Sequence, residues 1–274
     1  MKKRTKKLLL LASSASLLFL LTGCGTGEVT ANTTDIWSRI VWFFGQAIQF
    51  FSIRGNIGVG IIVFTLVIRI ILFPLMHFQA KSMRKTQELQ PEIKKIQAQY
   101  PGKDSASRRN VQEATQRLYA ENKVNPYVGC LPMLVQMPVL MGVFQALQRI
   151  PALQQGHFLW MNLGNPDQLF ILPILAALFT FASSWLSMKA AIEENSMTKM
   201  MTFVMPVMIF FFAFTAASGV SLYWVVSNAF QVLQTMMTNN PFKIQRERAE
   251  KIQAEKDAEK NKQRALKKAM KKRK

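Results

Sequence analysis

Long apolar blocks separated by polar stretches dominate this sequence. A helix that crosses a membrane needs about 20 largely apolar residues. Five blocks meet this requirement, and we expect each of them to form one membrane span. The predicted spans one to five cover residues 57–76, 127–148, 168–188, 200–217 and 219–237. Spans four and five are separated by so short a connection that they must form a tight helical hairpin.

The first 23 residues have the pattern of a targeting signal. A basic stretch, MKKRTKK, precedes the apolar run LLLLASSASLLFL, which is shorter than a span. The motif LTGC follows at once and resembles a bacterial lipobox, in which cleavage precedes the cysteine and the thiol is acylated. A signal peptide with a chance cysteine is the alternative. The pattern predicts removal of residues 1–23 and a lipid anchor on Cys24, outside the cytoplasm.

Positive charges are unevenly distributed over the predicted loops, and this asymmetry predicts the orientation of the spans. The segments 77–126, 189–199 and 238–274 carry ten, two and fourteen Lys or Arg residues, respectively. The segments 24–56 and 149–167 on the other side carry three, namely Arg39, Arg54 and Arg149. With Cys24 outside and five spans, all the strongly basic segments are cytoplasmic.

Two further elements are expected beside the membrane. In segment 24–56, polar or amphipathic residues recur every three or four positions among phenylalanines and isoleucines, which predicts an amphipathic helix in the outer interface. A sixth short span is the alternative. Segment 77–126 is too long for a structureless loop and predicts a helical hairpin around the turn PGKDS. Its narrow apolar stripe indicates a mobile arm whose basic face meets lipid headgroups.

Composition narrows the possible functions. Half of the 274 residues are hydrophobic and the formal net charge is +20. A soluble protein this basic usually binds nucleic acid, but the apolar blocks favour a membrane protein. Two cysteines, Cys24 and Cys130, and two histidines predict neither a disulfide framework nor a metal site, and no cofactor is expected.

Arg69 lies deep inside the first predicted span, about 10 Å from its cytoplasmic end. The five spans contain no Asp or Glu, so the arginine either bonds to backbone carbonyls, extends toward the interface, or faces a water-filled cavity. Polar residues on the spans favour the cavity, although each of them could instead form a hydrogen bond between helices. These residues are Thr65, Gln136, Gln145, Ser183, Ser184, Ser187, Ser227, Asn228 and Gln231.

Four segments, in this order and spacing, resemble the signature segments of the YidC/Oxa/Alb family of membrane protein insertases. They are TLVIRIILFPL, VNPYVGCLPMLVQMPVLMGVFQAL, LGNPDQLFILPIL and ASGVSLYWVVSNAFQVLQ. The lipobox and five spans match the Gram-positive lipoprotein form of YidC. The resemblance implies an all-α polytopic membrane protein in the bacterial plasma membrane. Five transmembrane helices would surround a hydrophilic groove, with a cytoplasmic helical hairpin and an external interfacial helix.

The resemblance also implies a function that needs neither an enzymatic reaction nor a cofactor. Family members accept hydrophobic segments of nascent membrane proteins and release them into the bilayer, alone or with the Sec translocon. Arg69, Thr65 and Trp224 match groove positions of the family, whereas some relatives carry glutamine at the position of Ser184. The complete predicted groove is Arg69, Thr65, Trp224, Tyr223, Gln136, Ser184, Ser227 and Asn228.

The basic tail, residues 238–274, predicts an exposed helix with a disordered basic end. Its charge favours anionic lipids as the partner, and the resemblance to the insertase family implies the ribosome as a second, equal candidate. Two other functions stay open for the protein as a whole. One is a folding or assembly chaperone without independent insertion, and the other is a transporter, which the lack of intramembrane carboxylates disfavours.

Overall fold

The computed structural model describes residues 27–102, 104–125, 128, 131–191 and 196–272. The predicted signal, Cys24 and Cys130 lie outside the described residues. Helices make up nearly all of the described regular structure, as the sequence predicts. A single two-stranded ribbon, formed by β1 (His157–Phe158) and β2 (Met161–Asn162), is the described exception.

The N-terminal half begins with helix α1 (Ile36–Phe50), and the Asp35 side chain caps it by accepting a hydrogen bond from the Ser38 backbone N–H at 2.7 Å. A 3₁₀ turn leads into α2 (Ile57–Glu88), which Asn56 caps. The arm continues as α3 (Gln90–Gln99) and α4 (Ser105–Glu121).

The second half holds the remaining helices. They are α5 (Leu131–Arg149), α6 (Pro151–Gln154), α7 (Ile171–Ala190), α8 (Ser196–Thr215), α9 (Ser218–Thr238) and α10 (Pro241–Lys272). Helix α7 packs against α8 and α9, and α9 also packs against α2. Helix α1 packs against α2 and α5, so the five longest apolar helices form one bundle with α1 at its side.

Two described helical stretches are long and apolar enough to cross a membrane, Ile57–Gln99 and Ile171–Ala190, and Lys199–Thr215 is a shorter apolar helix. Spans two and five correspond to helices α5 and α9, which contain more polar residues. That all five helices cross a bilayer stays a prediction.

Helix α2 is longer than the first predicted span, which ended at residue 76. It continues without interruption to Glu88, and Pro74 lies inside it. No glycine or proline follows Pro74 until Pro91, so nothing in the sequence stops the helix earlier. The break comes at Leu89, two residues before Pro91, because proline lacks the N–H that would bond to the Gln87 carbonyl oxygen and its ring crowds that turn. The first span and the first helix of the arm are therefore one continuous rod.

The main hydrophobic core lies where α1, α2 and α5 meet the loop that follows α5. Val41 and Ile48 of α1, Ile61 of α2 and Leu147 of α5 are fully buried there. Gly60 allows α1 and α2 to approach closely, because a Cβ atom at this position would collide with the Ile48 carbonyl oxygen. Helix α1 is thus a packed part of the fold, although Ile36, Phe43 and Phe50 remain exposed on its other faces.

The connection between α5 and α7 folds over one end of the bundle. The Asn165 carbonyl oxygen accepts hydrogen bonds from both the backbone N–H and the hydroxyl of Ser218, each at 2.7 Å. Asp167, which is only 2% exposed, also lies in this connection. Its carboxylate accepts hydrogen bonds from Trp160 Nε1 at 3.0 Å and from the backbone N–H groups of Leu169 and Leu172 at 3.1 and 2.7 Å. These bonds fix the loop to the N-terminal ends of α7 and α9.

Candidate functional site

A polar cavity of about 390 Å³ opens between α2, α5, α7 and α9. Ten of its thirteen lining residues are polar, and Arg69 is the one charged residue among them. The lining residues are Arg69, Met76, Gln79, Ala80, Met83, Gln136, Ser187, Asn228, Gln231, Gln234, Thr235, Thr238 and Asn239. So many polar side chains on apolar helices are typical of a water-filled cavity.

Arg69 enters this cavity from α2. Its Nη1 atom donates a hydrogen bond to Gln231 Oε1 on α9 at 3.1 Å. Gln231 is neutral and no carboxylate lines the cavity, so the lining does not neutralise the positive charge. A guanidinium group has five N–H donors in a fixed geometry, and only one of them is used in this bond. The arginine can therefore offer both charge and donors to a group that enters the cavity.

Gln136 and Tyr223 connect α5 to α9 at the inner end of the cavity. Gln136 Nε2 donates a hydrogen bond to the Tyr223 hydroxyl at 3.0 Å, and Tyr223 is 3% exposed. Ser227 is buried one turn further along α9. Its hydroxyl lies near that of Tyr223 but makes no hydrogen bond of accepted geometry within the described residues.

The structure brings only some of the predicted groove residues together. Arg69, Gln136 and Asn228 line the polar cavity, with Gln231 and Ser187 from the wider polar set. Tyr223 and Ser227 lie buried behind its wall. Thr65 is also buried, at 1% exposure, and its hydroxyl donates to the Ile61 carbonyl oxygen of its own helix at 2.6 Å. The half-buried Ser184 is outside the lining.

Trp224 belongs to a second, apolar cavity of about 240 Å³ between α5, α8 and α9. It packs edge-on against Phe212 of α8, with the ring centroids 4.8 Å apart. Three methionine or leucine side chains and Phe144 on α5 complete the lining, which is Met137, Leu140, Met141, Phe144, Phe212 and Trp224. Methionine and aromatic side chains suit a surface that contacts many different apolar partners.

For Gln145 the alternative of a hydrogen bond between helices holds, and it does not line the cavity. Its Oε1 atom accepts hydrogen bonds from Trp37 Nε1 at 3.1 Å and from Arg149 Nη1 at 2.8 Å. Arg149 in turn donates through Nε to the Gly27 carbonyl oxygen at 2.8 Å. Gln145 therefore joins α1, α5 and the N-terminal segment on the side opposite the cavity, because neighbouring elements satisfy its polar atoms there.

Several lining residues were not singled out from the sequence, although α9 carries a usable signal. Positions 228, 231, 234, 235 and 238 are all Asn, Gln or Thr and recur at spacings of three and four. That spacing places them on one face of a helix. Gln79, on the part of α2 predicted as the arm, was missed because the span was ended too early.

The first turns of the tail helix dock beside the open end of the cavity. Arg248 of α10 donates to the carbonyl oxygens of Ala190 and Ala191 at 2.8 and 3.0 Å, which caps the end of α7. Glu247 pairs with Arg84 of α2 at 2.9 Å. The hydrogen bond from Arg84 lowers the pKa of Glu247 below its ordinary value. From residue 249 to residue 265 the tail helix is exposed.

Known proteins identify the family. The family model described as "60Kd inner membrane protein" matches residues 49–247. A protein of Enterococcus faecalis named membrane protein insertase YidC is 56% identical over 96% of this chain and 96% of its own length. The chain belongs to the YidC/Oxa family. A Lactococcus lactis member named membrane protein insertase YidC 1 is also 56% identical, over 97% of this chain and 99% of its own length.

A solved structure of a YidC family member has a similar fold. It is described as an active YidC insertase crystal structure with the first transmembrane domain resolved. The two chains share 29% identity with a TM-score of 0.54, and the match covers 73% of this chain but 45% of the other. The family relationship predicted from four sequence segments is thereby confirmed.

Proposed function

We propose that this protein is a membrane protein insertase that takes hydrophobic segments of nascent proteins from the cytoplasm and releases them into the bilayer. The observation that carries the proposal is the polar cavity, in which Arg69 has a neutral partner and no carboxylate in the lining. The names of the relatives from Enterococcus faecalis and Lactococcus lactis support the same function. Neither an enzymatic step nor a cofactor is part of the proposal.

Helices α2, α5, α7, α8 and α9 are the proposed membrane spans. Helix α8 supports this arrangement, because its large apolar residues Phe203, Val207 and Phe211 are more than half exposed. Such an apolar surface needs lipid or another protein to cover it. The charge asymmetry supports a cytoplasmic arm and tail, with the loop between α5 and α7 outside. In this orientation the cavity opens toward the cytoplasm, between residues 76–83 of α2 and 234–239 of α9.

The cavity would lower the barrier that a polar segment meets when it enters the membrane. Polar side chains and water replace part of the hydration that the segment loses. Arg69 attracts acidic side chains of the client, and its charge is screened less than in bulk water because apolar helices surround the cavity. The adjacent apolar cavity offers the hydrophobic part of the client a path to lipid. A polar site for the hydrophilic part of the client and an apolar site for its hydrophobic part therefore lie next to each other.

The proposed partners are nascent membrane proteins, the Sec translocon, the ribosome and anionic lipids. The exposed part of α10 supports a role of the tail in recruiting these partners. Basic residues outnumber acidic ones there, and residues 251–265 are exposed rather than packed against the bundle. Phosphate groups of ribosomal RNA and lipid headgroups would both bind such a helix.

Reconstitution of the purified protein in liposomes tests the function. We expect insertion of a small two-span client without other proteins. Arg69→Ala should impair clients with acidic translocated segments and spare neutral ones, whereas Arg69→Lys should retain most activity because the positive charge remains. Arg39→Ala, which removes an exposed cation from α1, is the matched control.

Two results would contradict this proposal. In the first, no client is inserted into the liposomes, although clients that are already in the bilayer fold better in the presence of the protein. The protein would then be an assembly chaperone. If both Arg69 variants impair every client alike and lower the thermal stability, the arginine is a structural residue.

A lipid anchor on Cys24 is part of the proposal and rests on the LTGC motif. Cys24→Ser should abolish incorporation of radiolabelled fatty acid and leave an unprocessed precursor. Normal processing of this variant would contradict the assignment.

A further inference from the structure

The polar and apolar cavities follow one another along α5 and α9, and they meet at one level. On α5, Gln136 lines the polar cavity and the next residue, Met137, lines the apolar one. On α9, Trp224 lines the apolar cavity and Asn228, one turn later, lines the polar one. The surroundings therefore change from polar to apolar within about one helical turn on both helices.

The hydrogen bond between Gln136 and Tyr223 crosses from α5 to α9 at this same level. It joins two side chains that stand beside the boundary residues Met137 and Trp224. Tyr223 is almost completely buried. A hydrogen bond in such a low-dielectric place is stronger than one in water, and a lost partner is costly to replace.

We propose that the Gln136–Tyr223 hydrogen bond is a partition between the two cavities, and that it sets how apolar a client segment must be before it leaves for lipid. The inference rests on the proposed insertase function. A segment that moves sideways from the polar cavity must separate these two side chains. The apolar surface that it then buries offsets the lost bond, so weakly apolar segments are held back and strongly apolar ones pass.

Tyr223→Phe tests the partition because it removes only the acceptor hydroxyl and retains the ring. The client is a series in which leucines of one span are replaced stepwise by alanine. We expect clients near the threshold to insert about twofold to tenfold faster, the factor that one net hydrogen bond corresponds to. Strongly apolar clients should be unaffected. Tyr119→Phe, the same chemical change on the arm, is the control.

A substitution of Gln136, the other residue of the hydrogen bond, gives a second test. Gln136→Leu should shift the threshold as Tyr223→Phe does, and the double variant should shift it no further, because all three lack the same bond. An unchanged or higher threshold in Tyr223→Phe would overturn the proposal. Additive effects of the two substitutions would overturn it as well, since each residue would then act alone.

A labelling experiment tests the partition without a client. Met137→Cys in a Cys130→Ala background places a thiol in the apolar cavity, where a membrane-impermeant maleimide from the cytoplasmic side should react slowly. Tyr223→Phe should raise this labelling rate about twofold to tenfold. A thiol from Thr238→Cys, at the open end of the polar cavity, should react equally fast with Tyr223 and with Phe at position 223. If the thiol at position 137 is labelled at the same rate with and without the Tyr223→Phe substitution, the proposed partition is overturned. A wild-type protein that inserts no client would instead contradict the proposed function.

Discussion

Asp167 should be one of the residues on which the stability of this protein depends most, although it lies in a loop. Its buried carboxylate accepts three hydrogen bonds, one from Trp160 and two from backbone N–H groups. Asp167→Ala removes both acceptor oxygens and, with them, all three hydrogen bonds. The end of α7 then loses its cap, and the loop over the bundle loses the contact that holds Trp160.

The size of the effect follows from the number of donors left without a partner. A buried donor that loses its acceptor costs about 1–3 kcal/mol. Of the three donors, the Leu172 N–H is buried, whereas Trp160 and Leu169 are partly exposed, so water can replace the acceptor that they lose. We therefore expect a loss of up to about 3 kcal/mol in the free energy of unfolding. Asp167→Asn keeps one acceptor oxygen but points an N–H₂ group at a donor, so we expect a smaller loss of the same sign.

Thermal unfolding in detergent, followed by tryptophan fluorescence, measures the loss. For a domain of this size, about 3 kcal/mol corresponds to a fall of about 5–10 °C in the melting temperature. Asp104→Ala is the control, because the Asp104 carboxylate caps α4 with two backbone hydrogen bonds but is exposed to water. Its melting temperature should change less. If Asp167→Ala melts like the wild type, burial of the carboxylate does not stabilise the loop and the reasoning fails.

Two further predictions concern the tail helix. The hydrogen bond from Arg84 lowers the pKa of Glu247 below its ordinary value of 4.5. Their ion pair should therefore be complete above pH 4.5 and should be lost as the pH falls through the lowered pKa. A label-to-label distance between the arm and the first turns of α10 should lengthen only in that acidic range, and a Glu247→Gln variant that shows the same pH dependence would contradict this. Truncation after Glu250 keeps the docked turns and should weaken ribosome binding, most visibly at low salt. Unchanged, salt-insensitive binding would indicate that the tail contacts lipid alone.

The sequence predicted the helices and the family, and it was less reliable for individual polar side chains. A polar residue on an apolar helix can face a cavity or bind a neighbouring helix, and spacing alone does not distinguish these cases. Gln231 lines the cavity and Gln145 joins two helices, although both were candidates for the cavity for the same reason. Asp167 was missed because an isolated carboxylate in a loop has the pattern of a surface residue. The lipid anchor, the orientation of the spans and the ribosome contact stay predictions.

Helix α2 has a mechanical consequence. Its 32 residues form a rod about 48 Å long, with Arg69 and Arg84 about 22 Å apart on the same axis. A load applied to the arm or to the tail at Arg84 must tilt the segment that carries Arg69, unless the rod bends. Pro74, which lacks the backbone N–H to bond the preceding turn, is the natural place for such bending. The stiffness of the helical turn around Pro74 therefore decides whether a pull at the cytoplasmic surface moves Arg69 or only bends the helix.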